Sequence, residues 1–187
     1  IGKATKLSNK LTADHKTYEG TIELGSSTDS YDAQGAVISK SDIPNLDCEE
    51  LNSYTREFQG DIQQKPPMVS AVKKDGVPLY KLARKGKTIE REPKPVHIFS
   101  FCFSDYNAPI GKFCVHCSKG TYVRSLAHEL GKKLGCGAHL RTLHRTKSGS
   151  FDINDAIKLE ELVLLSSGEL HKRILSLMEL TRSLQST

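Results

Sequence analysis

The stretch Cys117–Gly131, CSKGTYVRSLAHELG, decides the fold because it passes from a strand through a turn into a helix. Its apolar residues recur at intervals of three and four, which is the period of a helix that buries one face. This stripe predicts a helix over residues 123–134, with Thr121 as the N-cap and Gly135 just beyond the last turn.

Arg124 is the unusual residue of this helix. With Thr121 as the N-cap it takes the third helical position, where Glu or Gln would stabilise the helix, and its charge meets the positive end of the helix dipole. The side chain therefore either lies over the surface with its head in water or is held beside a carboxylate or phosphate. Tyr122, at the same junction, is either a rim residue or points into one cleft with Arg124.

The surrounding sequence predicts an α+β fold with a mixed, mostly antiparallel sheet and flanking helices, because strands and helices do not alternate regularly. Asp47 is the predicted N-cap of a helix, with Glu50 three residues on. The chain after Phe151 is mostly helical and amphipathic. Alternating side chains predict strands at 17–25, 36–39, 95–105 and 111–118, of which the last two pair antiparallel. Asp75-Gly76 predicts a turn, and residues 79–86 predict a short helix that ends at Gly86.

Composition indicates an ordinary soluble protein. The chain has 187 residues, of which 37% are hydrophobic and 26% are charged. No apolar run approaches the roughly 20 residues of a membrane span. Five cysteines are scattered, and the closest pair, Cys114 and Cys117, falls on a predicted strand with the side chains on opposite faces. We therefore expect free thiols, no metal site and a reducing, cytoplasmic location.

Positive charge is concentrated in one segment. Residues 65–91 hold eight lysines and arginines against two acidic residues, while the net charge of the whole chain is +5. Such a segment is either a solvated loop or the electrostatic footprint of a polyanion binder. Residues 139–151, HLRTLHRTKSGSF, predict a further edge element with one wet, basic face.

Tyr18, Asp29 and Asp32 each have two interpretations. Tyr18, on the strand at 17–25, either packs in the core or stacks on a base as an exposed aromatic residue beside a basic surface. Asp29 and Asp32, in TDSYD, are either turn residues or an acid pair.

Three segments together resemble one family, the TruB-type tRNA pseudouridine synthases. They are YEGTIELGSSTDSYDAQG, FQGDIQQKPPMVSAVKKDGVPLYKLARKG and VHCSKGTYVRSLAHELGKKLGCGAHLRTLHRTKSGSF. The likeness covers about residues 1–160, which we expect to form the catalytic domain, with 161–187 as a C-terminal helical segment. The resemblance implies isomerisation of one T-loop uridine of tRNA to pseudouridine, with no metal and no organic cofactor. It also implies a flipped-out uridine, as base chemistry generally requires.

The resemblance assigns roles to particular residues. Tyr122 and Arg124 become catalytic, with Arg124 paired to the nucleophilic aspartate. Tyr18 stacks on the target base, and Leu143 lies beneath the uridine. Residues 66–87 become a basic arm that closes over the T-loop with Lys73 facing the RNA. Further RNA contacts are expected from Lys74, Arg84, Lys85, Arg141 and Arg145.

One family motif is missing. The nucleophilic aspartate of the family stands in a Gly-Thr-Leu-Asp-Pro context, which does not occur in residues 1–187. We expect the aspartate upstream of Ile1, so the chain alone would be inactive and poorly stable, whereas the complete protein would be a monomeric enzyme. The alternative is a paralogue of the same fold that binds RNA or acts as a tRNA chaperone without catalysis.

Overall fold

The computed structural model describes residues 2–12 and 15–183 and has the predicted α+β class. The described strands are β1 (Lys16–Leu24), β2 (Ser26–Thr28), β3 (Val37–Lys40), β4 (Gly60–Gln64), β5 (Lys73–Lys74), β6 (Val77–Pro78), β7 (Lys94–Asn107), β8 (Ile110–Cys117), β9 (Ala138–Ser148) and β10 (Phe151–Asp152). The described helices are α1 (Ser8–Leu11), α2 (Cys48–Arg56), α3 (Leu79–Ala83), α4 (Val123–Leu134), α5 (Leu159–Leu162), α6 (Ser167–Arg173) and α7 (Leu177–Ser183). Short 3-10 helices occupy Gly2–Leu7 and Ile153–Asp155.

Six strands form one antiparallel sheet in the order β10-β9-β1-β8-β7-β4. The predicted pair at 95–105 and 111–118 is confirmed as β7 and β8. β9 was predicted to be an edge element. It lies one strand from the edge of the sheet, and the edge strand β10 has only two residues. The prediction of one wet face on β9 was wrong, because all five consecutive side chains from Arg141 to Arg145 are exposed.

One face of the sheet carries the apolar core. Ile22, Val115 and Leu140 project from three neighbouring strands onto this face, and the helix side is supplied by Leu126 and Leu130 of α4 among others. Inward residues of β7 change phase, from Val96 and Ile98 to Phe101 and Phe103, because a register shift lies between Ile98 and Ser100. Such a bulge lets a long strand bend with the twisted sheet while it keeps its apolar side chains in the core.

The α2 helix begins as predicted. The Asp47 carboxylate accepts a hydrogen bond from the Glu50 backbone N–H, and the Glu50 carboxylate accepts one from the Asp47 N–H. This capping box satisfies two of the N–H groups that every helix start leaves without an intrahelical partner.

The predicted bounds of α4 are confirmed, but its predicted N-cap was wrong. Tyr122 is the N-cap, and its side chain makes no capping hydrogen bond. The Thr121 hydroxyl instead donates to the Ser118 carbonyl within the turn. Arg124 therefore stands at the second helical position. Gly135 ends the helix in the left-handed region, with a φ of 77°.

The basic arm of residues 66–87 is anchored at its base and carries a small hairpin. Pro66, Pro67 and Leu79 are buried. β5 and β6 are joined by Asp75-Gly76, which have φ values of 50° and 78°. Two positive φ values in a two-residue loop are typical of the primed turns that match strand twist, so the Asp-Gly turn predicted from sequence is confirmed.

Helices α5 and α6 contain no buried residues. The helices predicted after Phe151 are present as α5 to α7, whereas their amphipathic character stays a prediction. Across residues 2–12 and 15–183, no helix has the length and apolar character needed to cross a membrane.

Candidate nucleic-acid-modifying site

Arg124 joins three segments of the chain. Its Nη1 lies 2.9 Å from Oδ2 of Asp32 and 3.4 Å from the Ser30 carbonyl oxygen, and its Nη2 donates to the Val69 carbonyl at 2.8 Å. The Arg124 and Asp32 side chains are 24% and 23% exposed. The anion that the helix position required is thus present within the chain, and it belongs to Asp32.

Asp32 is both a turn residue and an ion-pair partner. Its Oδ1 accepts hydrogen bonds from the Gln34 N–H and the Ser30 hydroxyl, which leaves Oδ2 to Arg124. Asp29 has only the turn role, because its carboxylate accepts from the Ala36 N–H. Each carboxylate thus has its own partners within the turn, which favours the turn interpretation over an acid pair. Sequence reasoning identified the turn but missed the pairing of Asp32 with Arg124.

Gln64 fixes the start of α4. Its side-chain amide nitrogen donates to the Tyr122 carbonyl at 3.1 Å, and its amide oxygen accepts from the Tyr122 N–H at 2.7 Å. The next residue, Lys65, accepts a hydrogen bond from the Ser125 hydroxyl. Gln64 is 6% exposed. Burial and these partners are visible only in the structure, so sequence analysis had no direct signal for the role of Gln64.

Arg124 and Tyr122 line one cleft of about 700 Å³, here called the Arg124 cleft. Its floor and one wall come from the loop of residues 29–36 and the start of α4, and its other wall comes from the arm. Arg84, an RNA contact expected from the sequence, also lines it and lies 5.5 Å over the Tyr80 ring. The lining residues are Asp29, Ser30, Asp32, Gln34, Gly35, Ala36, Val69, Ser70, Ala71, Tyr80, Ala83, Arg84, Tyr122 and Arg124.

Leu143 and Arg141 lie in a smaller hollow beside this cleft. The hollow has a volume of about 280 Å³ and shares Asp32, Gln34 and Arg124 with the Arg124 cleft. Arg141 also pairs with Glu23 at 2.7 Å, and Leu143 is 43% exposed. An exposed leucine beside the arginine-lined cleft offers an apolar surface next to charged groups.

Tyr18 and Arg145 lie together on neighbouring strands. Tyr18 is opposite Arg145 in the register of β1 and β9 and packs against the apolar core. Burial raises the pKa of the Tyr18 phenol, with Cys117 adding to the rise and Arg145 opposing it. The phenol is therefore neutral at physiological pH. Neither residue is among the described side chains that line the Arg124 cleft.

Lys73 and Lys74 belong to a different part of the arm. They line a separate hollow with Glu90 and Arg91, and the Lys74 Nζ donates to the Glu90 carbonyl at 3.2 Å. Lys85 is exposed at the end of α3. The structure thus brings Tyr122, Arg124 and Arg84 together and leaves these three lysines on the outer surface of the arm.

The cysteines and potential metal ligands form no second site. Cys48, Cys102, Cys114, Cys117 and Cys136 are all free. Burial raises the pKa of the Cys114 and Cys117 thiols, so both favour the protonated form, which is a poor metal ligand. Among residues 2–12 and 15–183, no group of three or more His, Cys, Asp or Glu side chains is arranged to hold a metal ion.

Solved structures share the fold of this chain. A chain in the crystal structure of a Cbf5-Nop10-Gar1 complex matches with a TM-score of 0.71 and 25% identity, over 98% of this chain and 48% of that chain. A chain in the structure of an H/ACA RNP bound to a substrate RNA containing 2'-deoxyuridine matches with a TM-score of 0.60 at 24% identity, which bears on the fold alone. The fold, with an arginine-lined cleft under a basic arm, defines the class as a pseudouridine synthase domain.

Sequence comparisons narrow this class to one family. The family described as "TruB family pseudouridylate synthase (N terminal domain)" matches residues 1–123, and "tRNA pseudouridylate synthase B C-terminal domain" matches residues 124–181. The chain belongs to the TruB family of pseudouridylate synthases. These two matches meet at residues 123 and 124, so they do not test the boundary expected near residue 160 between a catalytic domain and a C-terminal helical segment. That boundary stays a prediction.

Curated relatives named tRNA pseudouridine synthase B are similar along nearly the whole chain. The relative from Opitutus terrae is 47% identical over 98% of this chain and 76% of its own length. The relative from Syntrophotalea carbinolica is 41% identical over 97% of this chain and 60% of its own length. The relative from Francisella philomiragia is 50% identical over 89% of this chain and 55% of its own length. The chain therefore spans between about half and three quarters of these relatives.

Proposed function

We propose that residues 1–160 form the catalytic domain, without its N-terminal segment, of an enzyme that isomerises a T-loop uridine of tRNA to pseudouridine. The observation that carries the proposal is the Arg124 cleft, in which a partly buried guanidinium stands beside Tyr122 under a basic arm. Membership of the TruB family and the names of the curated relatives support the same activity.

The proposed reaction needs a base that leaves its stack and a carboxylate nucleophile. The aspartate bonds to C1′ of the sugar as the bond from C1′ to N1 of the uracil breaks. The uracil rotates, its C5 bonds to C1′ as the aspartate leaves, and the proton on C5 is lost to a base while N1 takes up a proton. Tyr18 provides an aromatic face for the extruded base, and Leu143 an apolar contact beneath it. Tyr122 lines the cleft where the base would lie and helps to position it or to move the proton.

Arg124 can bind this nucleophilic carboxylate and keep its ion pair with Asp32 at the same time. A guanidinium has five N–H donors, and its contacts among the described residues use three of them. Two donors are left for a second carboxylate, which would keep that group ionised and oriented. Because residues 1–187 contain no Gly-Thr-Leu-Asp-Pro motif, we propose that this carboxylate comes from outside them.

A turnover assay tests the proposal. The 187-residue chain is compared, on a T-arm RNA, with the same chain fused behind the N-terminal segment of the Opitutus terrae relative. We expect no pseudouridine from the chain alone and turnover from the fusion, and Arg124→Lys should abolish most of that turnover because lysine lacks the planar fork.

Two outcomes would contradict parts of this proposal. Turnover by the unextended chain would show that the nucleophile lies within residues 1–187. A fusion that binds T-arm RNA but never converts uridine would favour the alternative, a non-catalytic RNA-binding or chaperone protein of the same fold. The absence of the motif from these residues is the observation that keeps this alternative open. Sedimentation of the fusion tests the expected monomer.

A further inference from the structure

Tyr31 and His128 form a ring stack beside the Arg124–Asp32 ion pair. Their ring centroids are 3.9 Å apart and their planes differ by 14°. Tyr31 comes from the loop that contains Asp32, and His128 lies on α4, four residues after Arg124. Residues four apart on a helix project from the same side, so the stack and the ion pair join the same loop to the same face of α4.

Tyr31 adopts a backbone conformation that needs outside support. Its φ is 67°, in the left-handed region that bulky side chains rarely occupy. Its N–H donates to the Thr28 carbonyl, and its carbonyl accepts from the Leu140 N–H of β9. Strained residues persist only where their surroundings hold them, and they concentrate at functional sites. Here the support comes from β9 on one side and the His128 ring on the other.

This strained residue stands between two of the three groups that bind Arg124. The preceding residue, Ser30, supplies a carbonyl to Nη1, and the following residue, Asp32, supplies the carboxylate. A change in the Tyr31 backbone would therefore move both acceptors at once. The position of the Tyr31 ring against α4 thus sets where the guanidinium is held.

His128 has features of a packing partner rather than a hydrogen-bonding one. Its Nδ1 is buried and has no hydrogen-bond partner among the residues that the structure describes. Burial also lowers the pKa of the imidazole, with Glu129 opposing this shift and Lys132 adding to it. The His128 ring therefore contributes by stacking its flat face on Tyr31, and its Nδ1 makes no hydrogen bond to the described residues.

We propose that the Tyr31–His128 stack is the positioning device for Arg124: it holds the loop at 28–36 against α4 and thereby fixes the guanidinium in the cleft. Neither residue touches the reacting atoms in this proposal. The expected effect of the stack on turnover rests on the proposed function, whereas its effect on the position of the Arg124 guanidinium does not.

Hydrogen exchange at the Arg124 guanidinium tests the structural part in the 187-residue chain. Nitrogen-15 NMR reports the guanidinium N–H signals, and Arg124→Lys identifies those of Arg124. We expect His128→Ala and Tyr31→Ala each to speed exchange roughly tenfold, because the pair then opens more often. His128→Phe and Tyr31→Phe keep the rings and should restore slow exchange. Glu129→Ala, a neighbour on the exposed side of α4, is the matched control and should change nothing.

Slow exchange that persists in both alanine variants, with the fold intact, would overturn the proposal. If His128→Ala does not fold, Tyr31→Gly removes the ring while it accepts the left-handed backbone without strain. Fast exchange in that variant supports the proposal, and slow exchange contradicts it.

Kinetics on the turnover-competent fusion separate this inference from the proposed function. We expect His128→Ala to lower kcat about tenfold with little change in KM, and His128→Phe to recover it. An equal loss in both variants would contradict a role for the stack. If no form of the fusion converts uridine, the proposed function fails, and the exchange experiment still decides the positioning role.

Discussion

Arg124 shows how one side chain can link a helix start to two distant segments. It reaches Asp32, 92 positions earlier in the chain, and Val69 of the arm, 55 positions earlier. A charge-assisted hydrogen bond to a partly buried group contributes about 1.5–3 kcal/mol, and removal of one partner leaves the other poorly satisfied. The ion pair is therefore a structural joint as well as a candidate catalytic feature.

Substitution of Asp32 tests this joint. Asp32→Asn keeps the size and the turn acceptor but removes the charge, so we expect a loss of about 1–2 kcal/mol in the free energy of unfolding. Urea unfolding measures this loss. Asp29→Asn is the matched control, because an amide oxygen can still accept from the Ala36 N–H. Equal effects of the two substitutions would show that the Arg124 pair adds no stability.

Gln64 makes a second test at the same scale. Gln64→Ala leaves both polar groups of the Tyr122 backbone without their side-chain partner, and we expect a cost of about 2–3 kcal/mol in the free energy of unfolding. The exposed neighbour Gln63 is the control, and Gln63→Ala should change stability by less than about 0.5 kcal/mol. An unaffected Gln64→Ala variant would mean that other groups or water replace the amide.

The arm is the element where charge and geometry act together. Its buried Pro66, Pro67 and Leu79 anchor it, while Arg124 holds it at the Val69 carbonyl. The cationic side chains on its outer surface remain exposed. This separation lets the arm present charge to a polyanion without loss of its own packing.

Neutralisation of the arm should weaken RNA binding and flatten its salt dependence. The variant carries Lys73→Gln, Lys74→Gln, Arg84→Gln and Lys85→Gln. Each lost phosphate contact should lower the slope of log K against log salt by about 0.7–0.9. Filter binding of T-arm RNA across a salt series measures the slope.

A matched variant controls for net charge. It carries the same number of changes at exposed lysines outside the arm, namely Lys112, Lys132, Lys158 and Lys172. The control should retain most of the slope. An arm variant with an unchanged slope would show that the arm makes no contact with phosphate.

At the scale of the whole molecule, two partly buried histidines link stability to pH. Burial lowers the pKa of His116 and of His128 below the ordinary value of 6.5. The unfolded chain therefore takes up protons at a pH where the folded chain does not. The stabilisation is fully present above pH 6.5 and is lost as the pH falls through the folded-state pKa values.

Unfolding free energies at several pH values test this linkage. We expect stability to fall as the pH drops below about 6.5, and His128→Phe should remove part of that dependence because it keeps the stack without a titrating group. His171→Gln, at an exposed position on α6, serves as the control. A His128→Phe profile parallel to that of the parent chain would contradict a contribution from His128.

The sequence by itself determined the features that depend on neighbours in the chain. The helix at 123–134, the Asp47 cap, the Asp75-Gly76 turn and the β7–β8 pair follow from periodicity and turn chemistry, which act over a few residues. The motifs likewise identified the family. The error at Thr121 is of the same local kind, because two adjacent residues competed for one cap and Gln64 secured the backbone of Tyr122.

Only the tertiary structure decided which side chains meet. The place of Arg124 in the first helical turn indicated an anionic partner, but the identity of Asp32 depends on how the 28–36 loop pairs with Leu140 of β9 and packs on α4. The same holds for Gln64 beneath Tyr122 and for the division of the arm's cations between the cleft and the outer surface. A local pattern reports how exposed a residue will be, whereas its partner is set by chain segments that packing brings together across long separations.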